Sequence, residues 1–188
     1  MIKDSGERTE FSSGAVRDCR AGKGRFDLMP LDVMATFCYN DPIIFHMQEY
    51  VEDGEIRHLY KILDAATDSD EPGRIFKSKW GALLETAIHF EEGCAKYGDR
   101  NWMLGIPEHC FVDSAMRHYC KYKAGWTDEP HDRAFIWNVL CLIWTVIHRP
   151  EMKDIPRKGK LDLVTGKPRR EYVVTGADFS SDILEDEK

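Results

Sequence analysis

The sequence predicts a mainly α fold, a helical bundle with a small β-hairpin appended at its C-terminal end. Three observations carry this expectation. Apolar residues recur at three- and four-residue spacing through most of residues 30–149, as amphipathic helices require. The stretch Ala134 to Ile147 is apolar almost all the way round, which suits only a central helix. After His148 the pattern changes: Pro150, Pro156 and RKGK oppose helix, and LDLVTGKPRREYVV reads as two short strands around a Gly-Lys-Pro turn.

Composition agrees with a globular chain. Of 188 residues, 43% are hydrophobic and 31% charged, enough apolar surface for one real core. With 26 Lys plus Arg against 33 Asp plus Glu the formal net charge is −7, which argues against binding duplex nucleic acid, since phosphate affinity needs a basic surface. No window is apolar for long enough to span a membrane, and the polar start MIKDSGERTE lacks a signal-peptide core, so a cytoplasmic protein is expected. The six cysteines form no CxxC pair and read as reduced thiols.

Three segments follow in order: an arm at 1–29, a helical domain at 30–149, and a hairpin with an acidic tail at 150–188. In the arm, GAVRDCRAGKGRFDL places Arg17, Arg20, Lys23 and Arg25 on a glycine-punctuated backbone, either as a solvated face or as a phosphate contact. Pro30 starts a helix carrying Leu31, Met34, Ala35 and Cys38, and Asp41-Pro42 caps and starts the next. Helices continue over Ile43–Tyr50 and Ile56–Ala66, broken near Gly54, before a loop at 67–73. The strongest periodicity begins near Ser78, where Trp80, Leu83, Leu84, Ala87, Ile88, Glu91, Cys94 and Ala95 share one broad face. A turn-rich segment, a helix from about Phe111 to Lys123 closed by Gly125, and a last helix capped by Thr127 complete the bundle.

Polar groups interrupt this core. Leu84, Ile88, Glu91 and Ala95 form one stripe, which places a carboxylate inside an apolar seam, where it must be paired, bind a metal or become neutral. Glu92 lies on the adjacent stripe with Glu85 and His89. Glu129 and Asp132 are spaced to aim the same way and lean toward ligation, whereas Asp128 reads equally as a helix-dipole cap. Asn138 sits in an apolar run two turns after His131 and needs partners. Asp113 and Arg117 read as a surface ion pair or as site residues, and His118 as a core histidine by default. The loop Lys96-Tyr97-Gly-Asp-Arg100-Asn101-Trp102 offers cations for phosphates and rings for bases.

Taken together, GAVRDCRAGKGRFDL, HFEEGCAKYGDRNWMLGIP, DSAMRHY and DEPH followed by WN resemble the phage dATP/dGTP diphosphohydrolase family, affiliated with the MazG-like all-α NTP pyrophosphatases. The resemblance spans roughly residues 11–147 and rests on four ordered motifs. It implies Mg²⁺-dependent (or Mn²⁺-dependent) hydrolysis of a purine deoxynucleoside triphosphate to the monophosphate and pyrophosphate. The cellular setting it implies is phage nucleotide metabolism supporting 2-aminoadenine genomes, in the host cytoplasm, by a homo-oligomer. On this resemblance Glu91, Glu92, Glu129, Asp132 and Asp113 hold the metal, and Glu92 or Asp132 takes the proton of the attacking water. Lys96, Arg100, Lys23, Arg25, Arg117, Asn101, Asn138, His118 and His131 contact the substrate, with Tyr97 or Trp102 packing on the base. The family's usual EExxE is incomplete, because Ala95 stands at the third acidic place, which leaves Asp113 or His131 to take it. Two other readings stand beside it: an HD-type triphosphohydrolase built on His131-Asp132 with His89 or His118, and a non-catalytic nucleotide-binding module.

Overall fold

The computed structural model describes residues 6–68 and 73–157. An antiparallel hairpin of β1 (Arg8–Glu10) and β2 (Val16–Asp18) comes first, in a register pairing Arg8 with Asp18 and Glu10 with Val16. Helices α1 (Leu31–Phe37), α2 (Pro42–Asp53), α3 (Arg57–Thr67), α4 (Lys79–Tyr97), α5 (Glu108–Lys123) and α6 (His131–His148) follow. The expectation of a mainly helical chain with a small hairpin holds, but the described hairpin is N-terminal. The hairpin expected within 150–188 lies largely outside the described residues; of its span, Pro150–Met152 forms one 3-10 turn. Part of the loop expected at 67–73 is also outside them.

Helix α6 is central, as its apolar run demands, and packs on α5, α4 and α3. Phe135, Val139 and Leu142 are fully buried with Phe111 and Tyr119 of α5 and with Met47 and Tyr50 of α2. Burial of such side chains stabilises by roughly 1.5–3 kcal/mol each. Asp41 caps α2 as expected, its Oδ1 accepting from Ile43 N and Ile44 N at 3.1 and 3.2 Å, while its Oδ2 accepts from Tyr119 Oη of α5 at 2.7 Å. One carboxylate thus fixes a helix start and the packing of two helices. Gly54 ends α2 in the left-handed conformation at φ 76°, which a side chain resists. Helix α6 begins later than expected: Pro130, not Thr127, precedes its first turn.

The apolar stripe of α4 faces outward. Trp80 is 77% exposed, Leu84 72% and Ile88 42%, whereas Ala82, Thr86 and His89 are the buried positions. Small and polar side chains let α4 lie against α6, where the His89 ring sits 5.7 Å from Trp137. Periodicity identified the apolar face correctly but not what covers it.

The described part of the N-terminal segment, residues 6–29, is docked rather than loose. Val16 N donates to Asn101 Oδ1 at 2.8 Å and Asn101 Nδ2 donates back to Val16 O at 2.7 Å, so a side-chain amide pairs with the strand as a third strand would. Phe26 N donates to Asp113 Oδ1 at 2.8 Å, and Asp113 Oδ2 accepts from Arg117 Nη1 at 2.9 Å. Asp113 is fully buried, so Asp113→Asn leaves the Arg117 charge without its counter-ion. The variant is expected to lose roughly 3–5 kcal/mol of stability, read from urea unfolding midpoints.

Candidate functional site

A pocket of about 860 Å³ opens between β2, the end of α4 with the loop after it, the mid-part of α5 and the start of α6. That volume falls in the range of roughly 300–1,000 Å³ typical of small-molecule sites. Arg17, Arg20, Lys23, Arg100, Arg117 and Lys121 line it, together with the rings of Phe26, Phe90, Tyr97, Trp102, Trp126 and Trp137. Asp18, Asp99, Asp128 and Glu129 line it as well, so six cations stand beside four acids in a chain that is acidic overall.

Arg17 is the most constrained of these groups. Its Nη2 donates to Asn138 Oδ1 at 2.6 Å, and its guanidinium carbon lies 5.1 Å from the Phe111 ring centre and 5.8 Å from that of Trp137. Nη1 is buried without a hydrogen-bond partner among the described residues. Burial lowers its pKa, but a guanidinium remains charged. A cation held by a neutral amide and two ring faces, with donors to spare, is built to meet a phosphate or carboxylate. Asn138, whose Nδ2 donates to Ala134 O at 2.8 Å, therefore orients Arg17.

The carboxylates expected to form one metal centre are not brought together. Glu91 is exposed on the outward face of α4. Glu92 accepts from Arg133 Nη2 of α6 at 2.9 Å. Both oxygens of Asp113 are occupied as described above, and Asp132 Oδ1 accepts from Arg133 N at 2.8 Å at the start of α6. Only Glu129 of the five lines the pocket. No three of them lie close enough to share an ion among the described residues. The expectation failed physically because the stripe assumed to be buried faces outward, so nothing forces Glu91 to find a counterpart.

The expected substrate contacts divide. Lys23, Tyr97, Arg100, Asn101, Trp102, Arg117, His118 and Asn138 line the pocket, whereas Lys96, Arg25 and His131 do not. Lys96 Nζ reaches Asp18 Oδ2 at 2.8 Å, and Arg25 Nε pairs with Asp27 Oδ1 at 2.6 Å, each neutralised locally. Trp102 is wedged between Phe90 and Trp144, at ring separations of 5.6 and 4.9 Å. Arg100, at φ 53°, is in the left-handed region unusual for a non-glycine residue. Arg17 and Arg20 were visible as arm cations but not as site residues; the missed signal was the buried Asn138, whose amide oxygen needed a donor.

At the far side of the pocket His118, Glu129 and His131 converge. His118 Nδ1 and His131 Nδ1 are 3.0 Å apart, and Glu129 Oε1 lies 3.7 Å from each. His131 Nε2 is 2.8 Å from Asp128 Oδ1, and this bond, with Lys121, holds Asp128 down to about 2. Asp132, whose Oδ1 accepts from Arg133 N, is not one of the ligand groups of this cluster.

The structure is that of a mainly helical protein with a small hairpin and a ring-lined pocket rich in charged side chains. Residues 64–155 match the family model described as dATP/dGTP diphosphohydrolase, N-terminal. The family name is that of a hydrolase acting on deoxynucleoside triphosphates. No curated protein and no solved structure matches the chain.

Burial holds His89 at about 4, below the ordinary 6.5 of an imidazole, so it is neutral at neutral pH. Above 6.5 the group is neutral folded or unfolded. As pH falls toward 4 the unfolded chain takes the proton first, and stability is lost. Between about pH 7 and about pH 5 this group is expected to cost roughly 2 kcal/mol. Urea midpoints should show that slope in the wild type and a flatter one in His89→Gln.

Proposed function

We propose that the protein hydrolyses dATP and dGTP between the α and β phosphates, water and the triphosphate giving the deoxynucleoside monophosphate and pyrophosphate. The observation that carries this reading is the gathering of arm, loop and helix cations with aromatic rings in one pocket of a chain that matches this family model. Arg17, Arg20, Lys23 and Arg117 hold the phosphates; the ring of Trp102, fixed by its neighbours, offers a surface for the purine. A cage of protein carboxylates for Mg²⁺ does not fit the residues present, since Glu129 alone of the five expected acids lines the pocket. Mg²⁺ keeps its waters and binds readily through phosphates, so it enters as the Mg²⁺ complex of the nucleotide.

The wider setting is proposed on the same family grounds: a MazG-like bundle acting in the cytoplasm of a phage host, draining dATP and supplying dGMP for a 2-aminoadenine genome. The pocket is sized for a mononucleotide rather than a duplex, and no described helix is long and apolar enough to cross a membrane.

A screen of nucleoside triphosphates with Mg²⁺, with products resolved by chromatography, tests this reading. Pyrophosphate and dGMP or dAMP are expected. Inorganic triphosphate would instead indicate an HD-type hydrolase, and binding without turnover a nucleotide-binding module. Arg17→Met should lower kcat/KM about a hundredfold, the scale of removing one preorganised donor. Its unfolding midpoint should hold, because a desolvated charge leaves with it.

The outward apolar row Trp80, Leu83, Leu84 and Ile88 supports a homo-oligomer formed through α4. Sedimentation should show a dimer or larger species for the wild type and a monomer for Leu84→Asp.

A further inference from the structure

We propose that His118, Glu129 and His131 bind one divalent transition-metal ion, of the Zn²⁺, Mn²⁺ and Co²⁺ class, where the middle of α5 meets the start of α6. The three ligand atoms are 3.0, 3.7 and 3.7 Å apart, so a point equidistant from them lies about 2.0 Å from each. That is the length of a metal–imidazole or metal–carboxylate bond, roughly 2.0–2.2 Å. At 3.7 Å Glu129 Oε1 is too far from either ring for a hydrogen bond but well placed to share an ion with both.

The surroundings agree. His131 is 2% exposed, and its Nε2 is committed to Asp128 Oδ1 at 2.8 Å, which leaves the Nδ1 lone pair facing His118. A carboxylate that orients a ligating imidazole from its far nitrogen is the usual support of such a site. His118 takes part once its own proton sits on Nε2. Lys121, 3.1 Å from Asp128 and 4.0 Å from Glu129, offsets part of the acidic charge. Three protein ligands leave a coordination position open, and His118 and Glu129 both line the pocket, so that position can take water or a phosphate oxygen. Imidazoles favour borderline metals, whereas Mg²⁺ prefers an all-oxygen shell.

A second group, Glu49, Asp53 and His58, also has ligand atoms close together, but it lies outside the pocket lining and offers one imidazole, whose Nε2 already bonds Asp53 of the same group at 3.1 Å. It serves as an internal control.

The inference deepens the reading of this pocket, and its test uses no nucleotide, so its failure would leave that reading standing. The untagged full chain, stripped with a chelator, is titrated with Co²⁺ and followed by calorimetry and visible absorption. One equivalent should bind and be displaced by Zn²⁺ but not by excess Mg²⁺. His118→Gln and His131→Gln should each weaken binding by tenfold or more, and Asp128→Asn by about 10–100-fold, the range for losing a supporting carboxylate. His58→Gln should leave it unchanged. In the wild type, Co²⁺ should broaden and shift the ring-proton resonances of His118 and His131, a readout that needs no variant to fold. Absence of stoichiometric uptake, unchanged uptake in the His118→Gln/His131→Gln double variant, or perturbation of His46 and His58 in place of the pocket histidines would overturn the proposal.

Discussion

A guanidinium withdrawn from water constrains much of this molecule. Removing an ion of that size from solvent costs several kcal/mol even after relaxation, so Arg17 can be retained only if its surroundings repay part of the cost. The repayment comes from two helices: Asn138 of α6 accepts its hydrogen bond, and Phe111 of α5 and Trp137 of α6 present ring faces. Nη1 has no hydrogen-bond partner among the described residues. Strand β2 delivers Arg17 to that position, and Asn101, clamping Val16 beside it, fixes the strand against the loop after α4.

The polar residues inside the helical domain therefore serve the junction between the N-terminal segment and the bundle. Asp113 receives the Phe26 N–H and the Arg117 guanidinium, and Arg117 in turn donates to Ser114 Oγ at 2.8 Å and lines the pocket. One buried carboxylate both docks the arm and presents a cation. Glu92 and Arg133 similarly tie α4 to α6. These acids are engaged with cations and backbone donors, which is why they do not assemble into a shared oxygen cage.

The segment matching the dATP/dGTP diphosphohydrolase family supplies the histidines of the pocket and all its named rings but Phe26, whereas Arg17, Arg20, Lys23 and Phe26 lie before it. The pocket is thus a composite. Apart from Phe26, its aromatic and imidazole walls belong to helices α4 to α6 and the loops between them, and part of its cationic wall is brought in by a short hairpin whose position depends on non-local hydrogen bonds. Gly105 marks how closely the pieces pack: a Cβ there would meet Arg149 Nη2 at 2.9 Å, and Ser13 Oγ donates to its carbonyl.

Sequence alone determined the helical elements, because helix is a local property written in periodicity and caps: Asp41 before Pro42, Ser78 at the head of α4, and the apolar run of α6 all stand where they were expected. It also determined the chemistry-bearing motifs, since Asn138, Arg117, His118 and the Tyr97–Trp102 loop meet in one pocket. Tertiary structure alone decided which face of α4 is covered, which acid meets which cation, and that Arg17 meets Asn138. Those outcomes depend on contacts between residues far apart in the chain. Arg17 and Asn138 are 121 positions apart, and Glu92 and Arg133 are 41. No local pattern encodes a partner that only folding brings near.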